Sequence, residues 1–277
     1  MPGRCRPSRL GLTVAALALL IGAGGTSTAG ASPLPALTSL PSGADVSWPN
    51  CPLGMGIPSR PSEGLPMPDA GSQFVVVGLT NGPGFTANPC LAAQVAQVQA
   101  RHLWTASYAV ASFPTAAQVS AYGGVGTFRQ RLARTGAGQA NTTVRAMRAV
   151  HLRSPMMWVD VEEVGGFPWS ATAADNNAFL DGVLAAYDAA GFRVGIYTYQ
   201  HAWSMITASR RLPLSAWIPS GLNTRASALG MCGRSPHGGP VLIGQWVAGG
   251  SDHDVLCPGV TGTATRPSVV TRMFASS

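Results

Sequence analysis

From Gly43 onward the chain repeats one alternation: a short apolar or β-branched run, then a longer stretch of helical or polar character. The runs that read as strands are Ala44–Trp48, Gln73–Leu79, Leu103–Val110, Met156–Glu162, Arg193–Thr198, Leu214–Ile218 and Val241–Val247, with His253–Leu256 the weakest. Helical patterns cover Pro89–Arg101, Ala116–Tyr122, Gly126–Thr135, Asn141–Val150 and Ala173–Ala190. The last places Phe179, Val183, Leu184 and Tyr187 at helical spacing and stops at Gly191. Strands separated by helices pair in parallel through crossovers, and about eight of them close into a barrel. The expected fold class is therefore α/β: an irregular (β/α) barrel of TIM type, a single domain over residues 43–277. Chemistry in such barrels lies at the carboxyl ends of the strands.

Ahead of that domain, Arg4, Arg6 and Arg9 precede an apolar run from Leu10 to Ala23 and the small-residue stretch Ala29-Gly30-Ala31. Residues 1–31 read as a secretory signal peptide and the Pro/Ser-rich residues 32–42 as a tether. The apolar run is short and glycine-rich at its end, and nothing later offers a membrane-length apolar span, so no stable membrane insertion is expected after cleavage. The expected location is extracellular or at the cell wall, an oxidising compartment. Cys51, Cys90, Cys232 and Cys257 remain after cleavage, an even number that favours two disulfides over metal binding. Three pairings are open. The strand layout favours Cys51 with Cys90 and Cys232 with Cys257, because each pair would join loops that follow neighbouring strands. Every basic residue is arginine, and the formal net charge of +7 falls by three with the leader. The remaining arginines are scattered and make no nucleic-acid stripe.

The fourth strand ends in Trp158-Val-Asp-Val-Glu-Glu, in a chain with only 11 acidic residues. Side chains two apart share a strand face, so Asp160 and Glu162 stand together while Glu163 takes the other side. Two close carboxyls repel, which keeps one protonated while the other ionises, as acid/base work on a glycosidic bond requires. Asp45 lies on the first strand, and Asp252 and Asp254 flank the last. Closure of the barrel makes those strands neighbours, so Asp45 and Asp254 are expected to face the opening that holds Asp160 and Glu162. Trp48, Tyr108, Trp158, Tyr197, Tyr199, Trp203, Trp217 and Trp246 lie on or just beyond strands. Aromatic faces suit the apolar faces of sugar rings, although a large aromatic on a strand more often belongs to the core. A metal site built from Asp160, Glu162, His253 and Asp254 has thin support, since His253 alternates with the inward aspartates. No metal and no cofactor is expected.

The ordered set Gly43-Ala-Asp-Val-Ser, Trp158-Val-Asp-Val-Glu, Gly195-Ile-Tyr-Thr followed by Trp203, Ala216-Trp217, Gly244-Gln245-Trp246 and His253-Asp254 resembles glycoside hydrolase family 25. It also resembles the less characterised glycoside-hydrolase-like domains of secreted actinobacterial proteins. The resemblance implies a lysozyme-type enzyme that cleaves the β-1,4 link between N-acetylmuramic acid and N-acetylglucosamine in peptidoglycan. It makes Glu162 the general acid, with Asp160 steadying the substrate's N-acetyl group and Asp45 and Asp254 completing the acidic cleft. Tyr197, Trp48, Tyr108, Trp217, Gln245 and Trp246 become the residues that contact substrate. Three segments depart from the family pattern. Gly78-Leu-Thr-Asn-Gly replaces a Lys-Ala-Thr-Glu-Gly-like stretch, Tyr108-Ala-Val replaces Tyr-His-Phe, and Asp254-Val-Leu replaces Asp-Leu-Asn. These departures keep open a non-catalytic, cell-wall glycan-binding barrel of the same fold.

Overall fold

The computed structural model describes residues 40–262 and 268–276. The expected leader over residues 1–31 and all but the last three residues of the expected tether over residues 32–42 lie outside the described residues. Eight strands form one closed barrel, in the spatial order β1, β10, β9, β8, β7, β6, β5, β4. They are β1 (Ser42–Val46), β4 (Phe74–Gly78), β5 (Trp104–Val110), β6 (Met156–Asp160), β7 (Arg193–Tyr197), β8 (Ser215–Pro219), β9 (Val241–Ala248) and β10 (Ser251–Leu256). Two-residue strands β2 (Gly56–Ile57) and β3 (Arg60–Pro61) make a separate hairpin between β1 and β4. The helices are α1 (Leu91–Ala100), α2 (Ala116–Tyr122), α3 (Phe128–Ala149), α4 (Ala173–Ala189), α5 (Gln200–Thr207), α6 (Arg225–Leu229) and α7 (Val270–Met273).

Alternation along each strand sorts the core into two layers. On β4, Phe74 and Val76 face the barrel interior, whereas Val75 and Val77 join the shell between barrel and helices; β6 does the same with Met156 and Trp158 inside and Met157 and Val159 outside. Large interior rings need space that a narrow barrel provides only locally. Glycine supplies it across the ladder: Gly43 pairs with Phe74, Gly78 with Tyr108 and Gly195 with Trp158. A Cβ on any of these three glycines would collide with the aromatic ring beside it.

Two expectations need correction. The last strand is not another parallel member, because β10 runs antiparallel to both β9 and β1. Gly249 and Gly250, at φ of 61° and 78°, form the two-residue turn between Ala248 and Ser251, a hairpin that leaves no room for a crossover helix. The strand consequently starts at Ser251, two residues before the expected start at His253. Second, the helices expected over Gly126–Thr135 and Asn141–Val150 are the single helix α3. Its start is set by a capping box in which Thr127 accepts from the Gln130 amide and Gln130 accepts from the Thr127 amide. Glycine inside a helix costs about 1 kcal/mol relative to alanine, but Gly136 and Gly182 let α3 and α4 cross backbone to backbone. A Cβ on Gly136 would strike the Phe179 carbonyl, and one on Gly182 the Ala133 carbonyl. The hairpin β2–β3 and the helices α5, α6 and α7 had no strong pattern in the sequence.

Two disulfides, Cys51–Cys90 and Cys232–Cys257, close loops of 39 and 25 residues. In the chain-entropy account, loops of this size stabilise the fold by about 3.5–4 kcal/mol each. Among the described residues, no helix is long and apolar enough to cross a membrane. Gly182→Ala is expected to force α3 from α4 and lower stability by about 1–3 kcal/mol. Urea unfolding followed by circular dichroism reads this as a lower midpoint, and an unchanged midpoint would mean that the helices separate freely.

Candidate active site

The carboxyl ends of the parallel strands open into a cleft of about 730 Å³, a volume typical of small-molecule sites. Asp160 ends β6 with the inward parity of Met156 and Trp158, which brings its carboxyl to the top of the interior column. Glu162 follows two residues later, beyond the last ladder position, and is half-buried. Both line the cleft with Asp45, Tyr108, Tyr197, Trp217, Gln245 and Trp246.

The floor is the Trp217 indole. It packs edge-on against Tyr197, Tyr108 and Trp158 at centroid distances of 4.5, 5.7 and 6.0 Å. Beneath it, the Trp217 N–H donates to Asp254 Oδ1 at 2.8 Å. Above it, the Tyr197 hydroxyl donates to Gln245 Oε1 at 2.8 Å, and Gln245 Nε2 donates to Asp45 Oδ2 at 2.7 Å. One relay thus joins strands β7, β9 and β1 across the barrel mouth. Gln245 holds the phenol and the carboxylate at once, which leaves its amide a single workable orientation.

Asp254 does not reach the opening. It is wholly buried below the floor, and Asp252, one inward position nearer the mouth, takes the place in the cleft expected of it. The physical reason is strand direction. On an antiparallel strand the mouth lies at the amino end, so the earlier aspartate is the upper one. Trp48 is not among the cleft-lining residues; the Arg60 guanidinium covers its ring at 5.7 Å from the centroid. Trp203 is buried, its N–H donating to the Arg210 carbonyl at 2.8 Å. Trp246 borders the cleft, stacked on His253 at 5.1 Å. Sequence reading overlooked Asp252 as a lining residue, His201 at the start of α5, and Trp169. The Trp169 N–H donates to the Glu162 carbonyl at 2.8 Å and its ring rests edge-on against Phe179, so the loop carrying Glu162 is tied to α4. Shared parity with Asp254 was a usable signal for Asp252; Trp169 had none.

Electrostatics follow from this crowding. Burial raises the Glu162 pKa to about 7, helped by Asp252 repulsion and opposed by the Arg60 charge. Burial, then repulsion from Glu162, pushes Asp160 well above the usual carboxylate range. Its Oδ1 is buried without a partner. Asp45 is raised well up by burial and then by Asp252 and Asp254, while burial raises Asp254 against the pull of the Trp217 hydrogen bond. Asp254 Oδ2 has no N–H or O–H donor beside it, so the Asp45–Asp254 pair is best accommodated with a shared proton.

Raised carboxyl pKa values mean that the folded chain holds protons that the unfolded chain has released. The stability they contribute is complete below about pH 4, the unfolded carboxyl range, and is lost as pH climbs through the raised folded values. Asp254→Asn keeps an oxygen for the Trp217 N–H but removes the charge. Its thermal midpoint is expected to exceed that of the unmutated protein at about pH 8, and the gain should shrink toward about pH 4. A gain that is the same at both pH values would contradict the sharing of a proton.

Over residues 107–217 the chain matches a family model described as Lysozyme-like protein 1. A 71-residue stretch is 32% identical to the probable GH family 25 lysozyme 2 of Dictyostelium discoideum, spanning 26% of this chain and 32% of that protein. The match therefore spans about a third of the length of that curated relative. Among solved structures, the bacterial lysozyme from Streptomyces coelicolor superposes with a TM-score of 0.51 at 15% identity, covering 85% of this chain and 99% of its own. The catalytic domain of endolysin ply40 from bacteriophage P40 of Listeria monocytogenes gives 0.50 at 14% identity, over 80% and 94% of the two chains. The family GH25 lysozyme from Aspergillus fumigatus gives 0.50 at 14% identity, over 79% and 94%. At such identities the likeness is one of fold. Local sequence over residues 107–217 is thus similar to a lysozyme-like family, and the whole barrel shares its fold with solved lysozymes and an endolysin catalytic domain.

Proposed function

We propose that the chain is a secreted glycoside hydrolase that cleaves β-1,4 links of peptidoglycan, with Glu162 as general acid and Asp160 assisting. The observation that carries this reading is a half-buried Glu162 whose pKa of about 7 keeps it protonated near neutrality, two residues from a second carboxyl in an open cleft with an aromatic floor. Glu162 gives its proton to the glycosidic oxygen as the bond from C1 to that oxygen breaks. The carbonyl oxygen of the sugar's own acetamido group closes on C1, and its N–H donates to Asp160. That hydrogen bond favours the Asp160 carboxylate and leaves the pair's proton on Glu162. Water then adds to C1 as the bond from C1 to the acetamido oxygen breaks, restoring the acetamide, and the water's proton passes to Glu162, which now acts as base. Tyr197, fixed by Gln245, borders the reacting sugar, and Trp217 and Tyr108 supply apolar faces beneath it.

The same reading assigns residues 1–31 to a removed leader, residues 32–42 to a tether and residues 43–277 to the working barrel, located outside the cell or at its wall. Its partner is peptidoglycan or a related cell-wall glycan, not nucleic acid. A glycan-binding barrel without turnover is the second reading. It is favoured by Asp45, whose carboxyl is engaged by Gln245 and Asp254 and so is held as structure.

Purified protein is expected to release reducing ends from peptidoglycan, with the rate falling as pH rises through about 7 because Glu162 must be protonated. Glu162→Gln should lower kcat by about 10²-fold or more while glycan binding persists, and Asp160→Asn should lower kcat with little change in KM. Binding without release of reducing ends anywhere between about pH 4 and pH 8 would replace the hydrolase reading with the binding one.

A further inference from the structure

The segment between β1 and β4 belongs to no barrel strand, yet its hairpin is built with care around one side chain. Asn81 accepts from the Ile57 amide at 2.7 Å and donates to the Arg60 carbonyl at 3.2 Å, clamping both arms of the turn. The Cys51–Cys90 bond ties the start of the segment to the base of α1. The Arg60 side chain then runs past Gly82, where any Cβ would collide with its Cδ, and spreads its guanidinium over Trp48. At its end, Nη2 donates to the Gly165 carbonyl at 3.2 Å, a contact between residues 105 apart in sequence. Gly165 lies three residues beyond Glu162 on the same loop. Arg60 Nε is buried there without a partner. Holding it in that state has a desolvation cost, which a side chain that merely closed its own hairpin would avoid.

We propose that Arg60 is a positioning residue: by bridging the β2–β3 hairpin to the Gly165 carbonyl it fixes the loop that carries Glu162 at the edge of the cleft. Trp169 holds this loop from the α4 side through the Glu162 carbonyl, and Arg60 holds it from the opposite side. The loop is thereby held beyond Val161, which Thr198 and Tyr197 already anchor, by these two hydrogen bonds, and among the described residues none is made to the Glu162 carboxyl itself. The bridge also brings the guanidinium charge into the field of Glu162. The other groups that act on or feel Glu162 there are Asp160 from β6, Asp252 from β10, Tyr197 from β7 and Tyr199 from the start of α5. Arg60 is the cation of that set, opposing burial and Asp252. The assignment rests on the reading of Glu162 as the acid, but neither test below requires turnover.

Arg60→Met removes the bridge and the charge while retaining a long apolar stem over Trp48. Hydrogen–deuterium exchange of the 163–167 segment is expected to accelerate about five-fold, the size set by losing one hydrogen bond. The Glu162 titration, followed by carboxyl ¹³C NMR and assigned with Glu162→Gln, is expected to move above its value of about 7. Arg60→Lys should return the titration toward the parent value and leave exchange fast, because an ammonium restores charge without the planar fork. If Arg60→Met fails to fold, Arg60→Gln serves the same two measurements. Either quantity unmoved in a folded variant overturns the assignment. If both move but the parent protein releases no reducing ends, the hydrolase reading falls and the positioning role stands.

Discussion

The hydrogen bond from the Trp217 N–H to buried Asp254 organises much of what surrounds it. It joins β8 to β10 through the barrel interior and fixes the indole as a floor, on which Tyr197, Tyr108 and Trp158 converge edge-on. A wholly buried carboxyl is unfavourable unless it is satisfied or neutral, and this one is both bonded to the indole and paired with Asp45. The acids of the mouth are thus stacked in depth. Asp254 is fully buried below the floor, Asp45 and Asp160 are buried yet line the cleft above it, and Glu162 and Asp252 are the partly exposed acids of that lining. Depth separates roles that composition alone makes equivalent, because burial is the largest cause of each pKa rise.

Making room for that floor shapes the rest of the barrel. Three interior aromatics, Phe74, Tyr108 and Trp158, stand opposite glycines on the neighbouring strand, and the crossing of α3 and α4 relies on glycine in the same way. In both places a residue with little intrinsic preference for its element is retained because close approach outweighs local propensity. The α3 glycines therefore misled a reading based on helix signals alone. Gly136 and Gly138 resemble a break between two helices until the α4 backbone is known to lie against the first of them.

Much of the site was legible because strand parity is local. Met156 to Glu162 alternates strictly enough to put Asp160 and Glu162 on one side and Glu163 on the other, and the cleft lining keeps that division. Gly195-Ile-Tyr placed Tyr197 at a strand end, where its hydroxyl meets Gln245. The choice between Asp252 and Asp254 was misjudged for a different reason: both share parity, and only strand direction says which is nearer the mouth. Ala248-Gly249-Gly250-Ser251 carries a two-residue hairpin signal, so the reversal itself was available in the sequence.

By itself the sequence determined the periodicities: which runs are strands, which side chains share a face, and that eight strands with intervening helices close on themselves. These depend on residue spacing and backbone geometry over a few positions, which no distant contact alters. Tertiary structure alone decided depth and partnership. Asp254 beneath the indole, Trp48 under a guanidinium, and Arg60 reaching Gly165 across 105 residues are outcomes of closure. Burial and long-range charge depend on distance through space, and that distance exists only once the barrel has closed.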